Sequence, residues 1–368
     1  MLGGKNLNPK EERIGSLDVL RIVLCMFVIT LHFNNSNGGA ALVLTEGNFY
    51  NHEFALLNES FTICAVNVFM ILSGYFLGKN QTRRLLKPLI LIFSVIGYNS
   101  FFCLVRMVIN REFSVGIYVR SLIPVNYFLW IYVAVYLLSP WINIIFENTS
   151  KKNLIFLLLM MFGVFSIYPS ILDLYSGMTG TTINGISTIS ATDSGAGYTF
   201  VNFIFMYSIG AYFRKYNPRI ERCKCMFEYI ISSIIIYVTI HITMNGLYYS
   251  NTIVILAAIF LFLVFLKSNV TSSNNITMLS ELTFQVFVIH GCMYDIWKIF
   301  NVEKLLTGNL ALTIVGFFAS VIMMYVCSVG VAMCGKIIAY PAYGILKKYI
   351  RFSYEIQGEK EIDEAGTY

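Results

Sequence analysis

Three ionisable residues, Asp18, Arg21 and His32, interrupt the otherwise apolar stretch SLDVLRIVLCMFVITLHFN over residues 16–34. Arg21 and His32 are eleven positions apart, about three helical turns, so they project from one face with roughly 16 Å between them along the axis. Asp18, Arg21, Cys25, Ile29 and His32 form one stripe. A charge at the centre of a membrane helix costs about 2.5–3.5 kcal/mol on insertion scales, so such groups face a protein interior or a watery cavity. The stripe therefore reads as the lining of a site. An imidazole near the end of such a helix has the chemistry to deprotonate a hydroxyl. A guanidinium deeper in can stabilise negative charge, with Asp18 three residues before it to orient or neutralise it.

Whether a membrane is the right setting follows from composition. Of the 368 residues 57% are hydrophobic and only 12% charged, against roughly 25% charged in soluble domains. At about 20 apolar residues per crossing, the expected architecture is all-α: a polytopic bundle of about ten transmembrane helices. Crossings are predicted near 16–34, 60–78, 85–109, 121–144, 153–170, 198–213, 226–246, 251–266, 277–299 and 307–334. Residues 1–15 and 335–368 then flank a single 16–334 membrane domain. Lys5, Lys10 and Arg13 precede the first run, but Asp18 and Arg21 within it and the lack of a small-residue cleavage site argue against a secretory signal. With the N-terminus inside, twenty Lys and Arg fall on inner segments and five on outer ones, which with Arg21 accounts for all 26. Positive residues favour the cytoplasmic face, so both termini are expected in the cytoplasm and the protein in the plasma membrane.

Two long segments, Asn35–Glu59 and Ile171–Gly197, read as outer loops, either connectors or recognition elements for a hydrophilic acceptor. The charged tail after Lys347, with its EKEIDE run, reads as a solvated end. The eight cysteines are scattered through apolar runs, which speaks against a disulfide framework, and Cys223-Lys-Cys225 is too little for a metal site. No metal and no nucleic-acid partner is expected. All four histidines, His32, His52, His241 and His290, fall on the outer half in this topology. His241 reads as a packing residue, and His290, in LTFQVFVIHG, as either a second polar lining residue or structure.

Arg21 and His32 together form an Arg-x10-His pair in SLDVLRIVLCMFVITLHF, and the segment resembles the first helix of the acyltransferase-3 family of integral membrane acyltransferases. The similarity extends to VNVFMILSGYFLGKNQTRRLLKP (Val66–Pro88), NYFLWIYVAVYLLSPWIN (Asn126–Asn143), GYTFVNFIFMYSIGAYFRKY (Gly197–Tyr216) and TFQVFVIHG (Thr283–Gly291). Unlike some members, this chain carries no appended extracytoplasmic domain of the SGNH type, and a stand-alone membrane unit is expected.

The resemblance implies O-acylation, commonly acetylation, of an extracytoplasmic or lipid-linked saccharide, with acetyl-CoA or another cytoplasmic acyl-CoA as donor substrate and no permanently bound cofactor. In that setting Arg83, Arg84 and Lys87 are candidates for the coenzyme A phosphates, or alternatively ordinary positive-inside anchors. His32 is the general base, or less readily a covalent acyl carrier. Gly74 in Ser73-Gly74-Tyr75 suits close helix approach, and Ser73 packing first. Tyr75, Trp130 and Tyr132 are candidate pocket-lining residues or interface-belt aromatics. Membrane lipids surround the whole. The competing class is a transporter or flippase of a glycan intermediate, which inverted repeats would favour; none is visible.

Overall fold

The computed structural model describes residues 14–79, 81–181, 197–349 and 353–355, excepting the side chains of 338–349 and 353–355. Among these residues seventeen α-helices follow one another. They are α1 (Gly15–Asn34), α2 (Ala41–Thr45), α3 (Phe49–Thr62), α4 (Ala65–Leu77), α5 (Leu86–Asn110), α6 (Val115–Ser121), α7 (Tyr127–Asn148), α8 (Lys151–Phe162), α9 (Tyr168–Thr179), α10 (Phe200–Tyr216), α11 (Arg222–Ile240), α12 (Thr252–Leu266), α13 (Asn274–Glu281), α14 (Thr283–Cys292), α15 (Asp295–Ile299), α16 (Val302–Leu306) and α17 (Leu310–Tyr349). A π-helical turn, Gly163–Ile167, joins α8 to α9.

Among the described residues eight helical segments are long and apolar enough to cross a membrane: Gly15–Asn34, Phe49–Leu77, Leu86–Asn110, Tyr127–Asn148, Lys151–Thr179, Arg222–Ile240, Met244–Leu266 and Leu310–Ile337. The other two expected crossings differ. The 198–213 stretch forms α10, of 17 residues, and 277–299 is broken into α13, α14 and α15. The expected outer loop Asn35–Glu59 is largely helical instead, because α2 and α3 occupy it and α3 leads directly into α4. Asn48 starts α3 by accepting a hydrogen bond from the Asn51 amide. The polar residues that suggested a loop find partners inside the bundle: Asn51 donates to the carbonyls of Leu306 and Gly308, and Asn34 donates to Glu59. In the second expected loop, Ile171–Thr179 lies in α9, and 182–196 lie outside the described residues. Residues 1–13 and the EKEIDE run also lie outside them.

At the centre of the bundle α4 and α10 cross closely. A Cβ on Gly74 would stand 1.9 Å from the Tyr207 carbonyl oxygen, and one on Gly210 2.0 Å from that of Ile71. Only the missing side chains let the two backbones approach so far, the usual device where lipid gives helices no hydrophobic drive to associate. Within α7, Pro140 removes the amide that would pair with the Tyr136 carbonyl, and the Ser139 hydroxyl donates to that carbonyl at 2.7 Å. Residue 334, the expected end of the membrane domain, falls within α17, which continues to Tyr349. Beyond it a short strand, β2 (Ser353–Glu355), pairs antiparallel with β1 (Thr82–Arg84), so this part of the tail is tied back to the bundle. All eight cysteines are free.

Candidate active site

Two helical tracks run side by side in the same direction, α1 and the α13–α14 pair. Arg21 Nη1 donates to Ser280 Oγ at 3.4 Å, Cys25 Sγ to the Thr283 carbonyl at 3.3 Å, and the His32 ring lies 5.1 Å from that of His290. The sequence offset between partners stays at 258 or 259 throughout, so the tracks remain in parallel register. A fixed register holds the cation at one level and the imidazoles at another, about 16 Å apart by helical rise.

At the Arg21 level, Asp18 is almost wholly buried. Its Oδ1 accepts from Arg21 Nη1 at 2.9 Å and from the Ser280 hydroxyl at 2.7 Å. The guanidinium also sits 4.6 Å over the Phe76 ring. It is a fixed cation, with its carboxylate and a hydroxyl holding its direction.

At the His32 level, Nδ1 shares a 2.7 Å hydrogen bond with the Tyr294 hydroxyl. Tyr294 in turn stacks on Trp297 at 5.4 Å, and the Trp297 indole donates to the Ser320 carbonyl. The chain after α1 folds back so tightly that a Cβ on Gly38 would lie 1.9 Å from the His32 carbonyl oxygen. His290 is 1% exposed. Its Nδ1 lies 3.0 Å from the Val286 carbonyl oxygen, which can only accept, so Nδ1 carries the hydrogen and the neutral ring bears its lone pair on Nε2. That Nε2 is buried without a hydrogen-bond partner among the described residues. A lone pair so placed is a base with nothing to accept, beside a second imidazole.

A cavity of about 320 Å³ runs from the Arg21 level toward the imidazoles. Its polar part is lined by Arg21, Lys87, Ser280 and Glu281, with Lys87 and Glu281 exposed at the mouth. Farther in it is lined by Val28, Phe128 and Phe287. The last two rings meet at 5.1 Å, and Phe287 is 5.9 Å from the His290 ring. Thus the cavity ends one turn of α1 below His32, at an aromatic wall.

The expected site residues distribute unequally. Ser73 and Tyr132 line the cavity, Ser73 with its hydroxyl bonded to the Phe69 carbonyl at 2.8 Å. Tyr75 does not; it is buried in the core against Phe262, with Arg214 over its ring. Trp130 is 48% exposed and donates to the Pro124 carbonyl, away from the cavity. The basic trio also divides. Arg83 is 2% exposed, and its guanidinium donates to Ser139 Oγ at 2.6 Å and to the carbonyls of Thr82 and Leu77 at 2.9 and 3.0 Å. Those bonds lock the α4–α5 connection to α7 and keep Arg83 from an entering phosphate. Arg84 is exposed on β1, and only Lys87 of the three lines the cavity. His241 pairs with Glu53 at 3.0 Å on the periphery, and Glu53 also accepts from the Tyr237 hydroxyl.

Ser280, Tyr294, Phe128 and Phe287 were not singled out from sequence. A signal was present, because Ser280, Thr283, Phe287, His290 and Tyr294 recur at intervals of three and four and so mark one helical face. Among the described residues no group of three His, Cys, Asp or Glu side chains is arranged to hold a metal ion.

No curated protein and no solved structure matches this chain. Residues 14–333, in contrast, match the acyltransferase domain of the acyltransferase-3 family, a stretch that contains every side chain of the paired tracks and of the cavity between them. The chain therefore belongs to the acyltransferase-3 family and is a multi-pass membrane acyltransferase.

Proposed function

We propose that the protein transfers an acyl group, acetyl in the simplest case, from a cytoplasmic acyl-CoA to a hydroxyl of an extracytoplasmic or lipid-linked saccharide. It acts in the plasma membrane with both termini in the cytoplasm. The observation that carries this reading is the cavity: polar at its mouth, where Lys87 and Glu281 stand beside Arg21, apolar inside, and directed along α1 and α14 toward the two imidazoles. Lys87 and Arg21 suit the phosphates of a coenzyme A donor, with exposed Arg84 nearby in sequence. The apolar interior suits a pantetheine arm and a short acyl chain.

In the reaction, His32 accepts the hydroxyl proton as the oxygen attacks the thioester carbon. The C–O bond forms, the C–S bond breaks, and the proton passes to the departing thiolate. This role uses the tautomer in which His32 Nδ1 donates to the Tyr294 hydroxyl, one of the two directions open to that bond, and keeps the Nε2 lone pair for the substrate. The unpartnered Nε2 of His290 favours a second assignment, with His290 as base and His32 as its neighbour. The thioester reaches either ring only when the Phe128–Phe287 wall opens.

The test is acyl transfer from acyl-CoA by the reconstituted protein, with mass analysis of surface glycans from cells with and without the gene. His32→Ala is expected to accumulate normally and abolish transfer; His290→Ala abolishes it only if the second assignment holds. Full glycan acylation in His32→Ala would overturn the role of His32. Labelling of Ser36→Cys from the cytoplasmic side alone would overturn the orientation.

A further inference from the structure

At the opposite end of α14 from the donor cavity lies a second cleft, of about 440 Å³, between α5, α6 and the last turn of α14. Its lining includes Asn99, Arg106 and Asn110 of α5, Arg120 of α6, and Gly291 and Cys292 of α14. One helix thus contributes Thr283, Phe284 and Phe287 to the first cavity, Gly291 and Cys292 to the second, and His290 between them.

The cleft is anchored to α14 by specific bonds. Arg106 Nη2 donates to the Cys292 carbonyl at 2.7 Å and its Nε to Asp295 Oδ2 at 3.0 Å, while Cys292 Sγ donates to Asn99 Oδ1 at 3.3 Å. Gly291, in the lining of the cleft, directly follows His290 in the chain. A Cβ there would meet only the Tyr294 hydroxyl, at 3.8 Å, and that hydroxyl is 2.7 Å from His32 Nδ1. A glycine here leaves open the space that a side chain would take beside the Tyr294 hydroxyl.

Charge decides what the cleft selects. Arg106 is matched by Asp295. The Arg120 guanidinium is exposed and forms no ion pair or hydrogen bond with another described residue, and Glu112 is the one carboxylate in the lining. A guanidinium without a protein carboxylate suits bidentate binding of a carboxylate or phosphate. The amides of Asn99 and Asn110 both donate and accept, as recognition of vicinal hydroxyls requires.

We propose that this cleft is the acceptor subsite and that it takes a saccharide bearing an anionic group, held by Arg120, with a hydroxyl presented past Gly291 to His32. This rests on the acyl-transfer reading for the identity of the ligand as acceptor, but its binding test does not depend on catalysis.

The test is equilibrium binding to the full-length protein in neutral-lipid nanodiscs. The probes are an oligogalacturonate, its neutral galactose counterpart, a hexose 1-phosphate and a polyprenyl phosphate without sugar. An anionic saccharide is expected to bind more tightly than the neutral one, and Arg120→Gln to lose about ten- to a hundredfold of that affinity, as for one charge-assisted contact. Arg120→Lys retains part of it. Preference for the hexose phosphate or for the galacturonate assigns the anion to phosphate or to carboxylate. Sensitivity of polyprenyl phosphate binding to Arg120→Gln assigns it to a lipid carrier. Gly291→Val is expected to lower turnover. Equal affinity for neutral and acidic saccharides, or no effect of Arg120→Gln on any anionic probe, overturns the proposal. A wild-type protein that binds the acidic saccharide but transfers no acyl group would instead count against the acyl-transfer reading alone.

Discussion

Replacing Phe287 by Ala opens the wall between the donor cavity and the imidazoles. The ring contacts Phe128 at 5.1 Å and stands 5.9 Å from His290, so its removal extends the 320 Å³ cavity toward the reacting level. Burying one methylene is worth about 0.8 kcal/mol, or about fourfold in a rate constant that depends on it. If the new space takes the acyl chain, butyryl-CoA gains two methylenes over acetyl-CoA and its relative kcat/KM rises by about fifteenfold. A fully buried Phe→Ala change costs about 3–5 kcal/mol of stability. Phe287 borders a cavity and is only half-buried, so the cost falls below that range. The assay is thiol release from acetyl-, propionyl- and butyryl-CoA by the variant in proteoliposomes, with Phe128→Ala in parallel. An unchanged chain-length preference in both variants, with normal accumulation, would refute the idea that these rings bound the acyl chain.

Three further outcomes are expected. Lys87→Gln raises the donor KM by about tenfold at unchanged melting temperature, whereas Arg83→Gln, which removes the buried bonds donated to Ser139, Thr82 and Leu77, costs about 3 kcal/mol in stability and leaves the donor KM of folded protein alone; a shared KM phenotype would contradict the division. Gly74→Ala forces a Cβ to 1.9 Å from the Tyr207 carbonyl oxygen and destabilises by about 3 kcal/mol or more, while Gly97→Ala, with nothing within 4 Å, is neutral or stabilising in the same thermal assay. The bond to the Tyr237 carbonyl, then Glu53, holds the His241 imidazole above its usual pKa. Its contribution is therefore full below about pH 6.5 and disappears as pH rises through the raised value. Melting curves of wild type and His241→Gln should converge on the alkaline side, and convergence on the acidic side would reverse the assignment.

Several features of this protein are local and so were legible along the chain. An 18-residue apolar run specifies a membrane helix wherever it stands, and eleven residues of spacing put Arg21 and His32 on one face whatever packs against them. Asp18 at three residues from Arg21 likewise pairs with it in the fold. The polar segment 35–59 misled because hydrogen-bond partners as distant as Leu306 satisfy it inside the bundle, and composition carries no trace of them. Arg83, Arg84 and Lys87 are similar in sequence and different in space: alternation along β1 turns Arg83 inward to Ser139 and its neighbour Arg84 outward. The second track of the site was decided by tertiary structure alone. Ser280, Phe287, His290 and Tyr294 had a visible helical period, but their meaning came from the register that sets them against Arg21 and His32 some 258 residues away. Periodicity determines which residues of a helix share a face. Only packing determines what that face meets, because contacts between distant segments depend on the fit of whole surfaces and not on any spacing within one of them.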